Sequence, residues 1–231
     1  RQLYEASLDI RRELDDKPSI ASLLNNLGII ARFHGDTKLA ESYYKEAAAI
    51  WRDISDKHAI AIALNNLGNL ALDKEDFSLA RERIEEAVAL QRDVGDKWYL
   101  ANSLNNLGNV VREQGDYEVA HSLYRESLTL NYQLGDKRAL AYLFEDIGCT
   151  FAKQGKAAQA LQLCGAAHAL RDEIGAPLSE AEQQKLEAHL APAREALDKE
   201  TQLAAERAGA AMSLDEVIDY IMQQEAAAQP A

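Results

Sequence analysis

The sequence predicts an all-α fold, a solenoid of antiparallel helix pairs with helices capping its C-terminal end. Three observations carry the prediction. Leu24-Asn25-Asn26-Leu27-Gly28 returns as Leu64-Asn65-Asn66-Leu67-Gly68 and as Leu104-Asn105-Asn106-Leu107-Gly108, forty residues apart each time. A fourth, altered copy ends in Asp146-Ile147-Gly148 at the same phase, and two further landmarks keep step with it. Asp16-Lys17, Asp56-Lys57, Asp96-Lys97 and Asp136-Lys137 precede the copies, while Gly35-Asp36, Glu75-Asp76, Gly115-Asp116 and Gly155-Lys156 fall midway. A period of this length marks units that cannot bury their apolar faces alone and stack on their neighbours. The third observation is composition: with 6% aromatic residues and 4 prolines in 231, the chain suits helices better than a sandwich or barrel.

The elements follow in order. Tyr4, Ser7, Ile10 and Leu14 match Tyr44, Ala47, Ile50 and Ile54, so residues 1–15 read as the second helix of a half unit. Such an unpaired face predicts more protein upstream. Full units occupy 16–55, 56–95, 96–135 and 136–175, giving a repeat array over 1–175. The Asp of each Asp-Lys pair is placed to cap a first helix by accepting from its orphan N–H groups. In the third unit that helix runs from about Lys97 to Gln114; Gly115 ends it in a left-handed conformation and Asp116 caps the next. The second helix then presents Val119, Ala120, Leu123, Tyr124, Ser127, Leu130 and Leu134 on one face. Glycines 28, 68, 108 and 148 and alanines 40, 80, 120 and 160 keep the helix joints small.

Beyond Gly175 the period stops, and residues 176–231 form the capping region. Ser179 with Glu182 makes a capping box, and Leu186, Leu190, Ala193 and Leu197 supply the apolar stripe of one helix. Residues 202–211 are alanine-rich with a weak pattern. Ser213 with Glu216 opens another helix carrying Leu214, Val217, Ile218, Ile221 and Met222 on one face, and Glu225–Ala231 reads as a frayed tail.

The repeated residues resemble the tetratricopeptide repeat. Leu24, Leu27, Gly28, Ala40, Tyr44 and Ala47 fill its pattern of large apolar residue, Leu-Gly, small residue and aromatic; Leu104, Leu107, Gly108, Ala120, Tyr124 and Ser127 fill it again. The forty-residue period is similar to the longer-helix variety of kinesin light chains and bacterial signalling proteins. That resemblance implies a right-handed superhelical solenoid whose first helices line a concave, peptide-binding side. A second resemblance spans roughly 160–222. Leu163-Cys164-Gly165-Ala166-Ala167, Leu170-Arg171, Ile174-Gly175-Ala176-Pro177-Leu178 and Ser213-Leu214-Asp215-Glu216-Val217 look like the C-terminal end of bacterial STAND-type regulatory ATPases and LuxR-type regulators. It implies a sensor module serving upstream domains of the same parent chain.

The residues support no chemistry of their own, and no enzyme activity or cofactor is expected. Gly155-Lys156 has Thr150 where a phosphate loop needs its first glycine and Ala157 where it needs a hydroxyl, so it reads as a turn. Five scattered histidines give no metal cluster, and Cys149 and Cys164 read as buried thiols. A net charge of -13 disfavours direct nucleic-acid binding. No apolar run reaches about 18 residues and no leader precedes the repeats, which points to a cytoplasmic chain away from membranes.

One polar feature asks for a ligand. In the first helices, offsets of three and four align Asn102, Asn105, Asn109 and Arg112 in the third unit, Asn65 and Asn69 in the second, and Asn25 and Arg32 in the first. An amide donates and accepts at once, which suits the backbone of an extended peptide. Asn26, Asn66 and Asn106, one place along, are instead assigned to packing between helices. Glu145 replaces the groove asparagine in the fourth unit with Asp146 beside it, so a partner peptide with a basic segment is expected there. The expected function is a peptide- or protein-binding scaffold; the alternative is a purely structural, autoinhibitory or oligomerisation module.

Overall fold

The computed structural model describes residues 2–226, with the side chains of 224–226 excepted. Among the described residues it holds only helices, in two compact units, 1–115 and 116–231. The first unit contains α1 (Gln2–Glu13), α2 (Lys17–Phe33), α3 (Thr37–Asp53), α4 (Lys57–Asp73), α5 (Phe77–Val94) and α6 (Lys97–Glu113). The second contains α7 (Tyr117–Leu134), α8 (Lys137–Lys153), α9 (Ala157–Ile174), α10 (Glu180–Glu195), α11 (Lys199–Ala210) and α12 (Leu214–Ala226). Glu225 and Ala226 close α12, and the rest of the tail expected to fray lies outside the described residues.

Capping sets the helix starts. Asp16, Asp36, Asp56, Asp76, Asp96, Asp116 and Asp136 each accept from the backbone N–H three residues on, which satisfies one orphan donor per helix. Lys156 takes the aspartate's place before α9 and provides no side-chain cap; its ammonium lies 5.2 Å over the Phe151 ring instead. The turns need a left-handed residue. Gly95 meets that need at φ 79°, whereas Ser55 and Glu75 are held at φ 59° despite their Cβ atoms. Lysines at the starts of first helices reach acids at the ends of second helices: Lys17 to Asp53 and Lys57 to Asp93 at 2.6 Å, Lys137 to Glu173 at 2.5 Å.

In the first unit the core forms where a first helix meets the second helix of its own pair. Leu24 and Leu64 are fully buried, each worth roughly 1.5–3 kcal/mol against exposure. A Cβ on Gly28 would stand 2.5 Å from Tyr44 Cε1, and one on Gly68 would collide with Ile84. These glycines let α2 settle on α3 and α4 on α5. Burial also pushes the Tyr44 hydroxyl up to about 12. In α1 only Leu8 is buried, and Leu3 and Ile10 face outward, as does Leu14 just past its end.

The second unit departs from expectation at residues 202–211. The weak, alanine-rich pattern conceals part of α11, which Asp198 caps through the Thr201 N–H at 2.8 Å. Its packing relies on closeness rather than on large side chains. Gly209 lies against the backbone of Gln162 and Gly165 against that of Glu206, so α9 and α11 meet backbone to backbone. Both expected capping boxes form, Ser179–Glu182 before α10 and Ser213–Glu216 before α12. Leu197 falls past the end of α10, while Leu190 and Ala193 are buried.

Gly209→Ala should therefore lower stability by about 1–3 kcal/mol, because only backbone can move to admit the methyl group. Ser55→Gly should raise it by roughly 1 kcal/mol, by relieving a left-handed residue. Thermal melts of the two variants by circular dichroism check both signs.

Candidate functional site

The asparagines and arginines expected to line a groove divide into two kinds. Asn66 Nδ2 donates to Asn25 Oδ1 at 2.9 Å, and Asn106 Nδ2 donates to Asn65 Oδ1 at 3.1 Å. The first asparagine of one unit therefore accepts from the second asparagine of the next, forty-one residues on. Asn25 and Asn65 are 7% and 9% exposed, so these carbonyls are engaged in joining adjacent first helices. Arg32 follows the same offset, donating to Asp73 from Nε at 2.5 Å and from Nη2 at 3.0 Å. Arg112 is buried, and its Nε donates to Glu113 at 3.1 Å. Asn105 is half-buried.

The members that face outward lie one step along. Asn102 is exposed, and its carbonyl accepts from Asn106 at 3.1 Å. Asn69 and Asn109 are half-buried, three residues beyond Asn66 and Asn106 on the same stripe. The matching stripe of α2 is apolar: Ile29 is 48% exposed and Phe33 87%. At the starts of α4 and α6, Trp98 stands edge-on to Tyr99 at 4.7 Å, and His58 stands edge-on to the same ring at 5.1 Å. Trp98 is half exposed. These arrangements make a surface with apolar, amide and aromatic sections across α2, α4 and α6.

Glu145 behaves differently from the expectation placed on it. Its carboxylate is buried and held by Arg171 of α9 through two bonds, Nε–Oε1 at 2.6 Å and Nη2–Oε2 at 2.9 Å. Arg171 also donates to the Ala176 carbonyl at 3.2 Å, and its guanidinium lies 4.1 Å over the Tyr142 ring. Tyr142 in turn donates to Glu182 at 2.8 Å, which ties the start of α10 to α8 and α9. Burial pushes the Glu145 carboxyl above its ordinary value, with Arg171 opposing that shift. The charge expected to meet a basic peptide is thus neutralised inside the unit. The sequence held a signal for this: position 171 is Trp51, Gln91 and Asn131 in the other copies, so the acid and the base depart from the repeat together.

Further residues singled out in the sequence lie in α8, α9 and the turn between them. Gly155-Lys156 is the turn between α8 and α9, with Gly155 at φ 75°. Cys149 is buried, and burial pushes the Cys164 thiol well up. No group of three metal-ligating side chains gathers among the described residues, and no described helix is long and apolar enough to cross a membrane.

Arg171→Met should cost about 3–5 kcal/mol by leaving the Glu145 carboxylate buried without its partner, and Glu145→Met/Arg171→Met should recover most of that loss. The single variant's deficit should shrink as pH falls toward 4.5, the ordinary value, because the raised carboxyl takes up a proton in the folded state first. Melting temperatures measured across pH 3 to 8, a range of about five units, test both statements.

Comparison with known proteins agrees with this geometry. The family model described as Tetratricopeptide repeat matches residues 1–53 and 59–133, more than half of the chain. Curated proteins yield no match. Among solved structures, the crystal structure of BtubC (BKLC) from P. vanneervenii is similar with a TM-score of 0.68 at 18% identity, covering 100% of this chain and 92% of that chain. At that identity the likeness is one of fold. Helix pairs in forty-residue register, glycine-narrowed joints and the family match lead to one conclusion: the chain belongs to the tetratricopeptide-repeat family.

Proposed function

We propose that the face shared by α2, α4 and α6 binds an extended segment of a partner protein. Tetratricopeptide repeats in general mediate protein–protein interaction, and the observation that supports this particular face is its division of labour. Asn25 and Asn65 set the distance between first helices, which leaves the outer stripe of Asn69, Asn102 and Asn109 regularly spaced. A peptide laid across the helices can exchange backbone hydrogen bonds with those amides while apolar side chains rest on Ile29 and Phe33. Recognition would then follow the backbone and one or two apolar anchors; Glu145 and Arg171 satisfy each other and leave no reason to favour a basic segment.

In the finer form of the proposal, occupancy of this face is reported to further domains of a signalling ATPase or transcriptional regulator. The resemblance of residues 160–222 to the C-terminal end of such regulators supports it. Stacked helix pairs rotate slightly at each joint, so a ligand that bridges several first helices can bias the arrangement of the stack.

A peptide-array screen with the purified chain should yield extended binders whose affinity falls at least about tenfold, or 1.4 kcal/mol, in Asn69→Ala/Asn102→Ala/Asn109→Ala. The melting temperature of that variant should stay near the parent's. Unchanged affinity in a folded variant would move the ligand to another surface.

A further inference from the structure

We propose that the groove between α3 and α5 binds a second kind of partner, an acidic amphipathic helix seated as α12 is seated on α7 and α9. The groove is walled by α3 and α5 over a floor mainly from α4, and none of the residues assigned to the extended peptide lines it. It encloses about 400 Å³ over a floor that includes Ala48, Leu64, Leu67 and Leu70. Its rim carries Lys45, Arg52, Lys74 and Arg83, with Glu41 and Asp76 as the acids among the lining residues. Lys45 and Lys74 share Glu41 at 2.6 Å each and hold its carboxyl down at about 2. Arg52 and Arg83 have looser partners, with Glu86 at 3.8 Å and 3.7 Å respectively. Exposed pairs of that length contribute little, so an incoming carboxylate can replace them at small cost.

The second unit supplies the template. There α12 packs against both α7 and α9, the second helices that stand in register with α3 and α5 eighty residues earlier. Its Val217 and Ile221 are buried to 2% and 1%. It carries Asp215, Glu216 and Asp219, and no basic residue lies between 213 and 226. Tyr132 of α7 donates to Asp215 at 2.8 Å, and the residue at that register position in α3 is Arg52. Replacing a phenol by a guanidinium turns a neutral donor into a charged one, which favours an acid at that point more strongly.

The same register explains the open volume. In the second unit Phe151 occupies the equivalent of Ala71, with the His121 ring 5.4 Å from it and the Lys156 ammonium 5.2 Å. The first unit has Glu41 and Asp76 at those two flanking positions and only a methyl group at Ala71. The groove is therefore empty of its own side chains where its counterpart is filled, and basic along the edge where its counterpart already holds an acidic helix. Charge complementarity and the self-template together select an acidic amphipathic helix from a partner protein.

The test uses a labelled peptide of residues 213–223, blocked at both ends, titrated into the full chain by fluorescence anisotropy. Saturable binding should weaken at least about tenfold in Arg52→Glu/Arg83→Glu, and a peptide carrying Asp215→Lys should regain affinity for that variant. Ala71→Phe, which copies the filling seen in the second unit, should abolish binding while circular dichroism stays helical. Absence of binding, or binding that neither change affects, overturns the proposal. So does concentration-dependent dimerisation of the chain that Arg52→Glu/Arg83→Glu dissolves, since the occupant would then be α12 of a second copy. Because Ile29, Phe33, Asn69, Asn102 and Asn109 are all left unaltered, failure here leaves the extended-peptide reading standing.

Discussion

Everything in the repeat depends on how closely a first helix can lie on the second helix of its pair. Gly28 and Gly68 remove the one carbon that would meet Tyr44 or Ile84, and the fully buried Ala40 and Ala80 keep the facing helix equally slim. Once that distance is set, the leucines on either side reach across it, and the large residue at position 44 or 84 fills the remaining space. Ion pairs such as Lys17–Asp53 sit at the margin of this contact and are exposed, so they orient the helix ends more than they stabilise them. The same constraint acts in another form where α9 meets α11 through Gly165 and Gly209.

A second layer of order comes from polar groups that are buried and satisfied. The bonds from Asn66 to Asn25 and from Asn106 to Asn65 join one unit to the next without bulk, and the Arg32–Asp73 pair repeats their offset. An unsatisfied buried amide costs about 1–3 kcal/mol, so a neighbouring helix that supplies the partner also sets the register. The residues that look most like ligand contacts in the sequence, Asn25 and Asn65, are for this reason largely committed to the protein itself. Asn69, Asn102 and Asn109 inherit the spacing further out, half-buried or exposed.

Much of the architecture was legible because its causes are local or periodic. Asp before each helix, a left-handed residue after it, and apolar residues at three- and four-residue offsets each leave a mark within one turn. What escaped was pairwise and distant. No pattern within one copy tells that Asn25 meets Asn66 rather than a ligand; the clue lies in comparing offsets between copies. Beside Asp146, Glu145 looks like an acid in a groove, but its meaning depends on Arg171 twenty-six residues later. α11 was hidden because alanine and glycine carry little amphipathic signal, although they are the residues a backbone-to-backbone contact requires.

The forty-one-residue bond between asparagines has an evolutionary consequence. It is written in each copy without reference to that copy's place, so inserting or deleting a whole forty-residue unit among the first three preserves every acceptor and donor. Array length in such a segment can drift by gene duplication at little structural cost. The fourth copy breaks the rule: Glu145 replaces the acceptor amide, Leu186 stands forty-one residues beyond it, and the carboxylate turns back to Arg171 in its own unit. A copy of this kind acts as a stop codon does in a message, ending the series by what it encodes while the copies before it stay interchangeable.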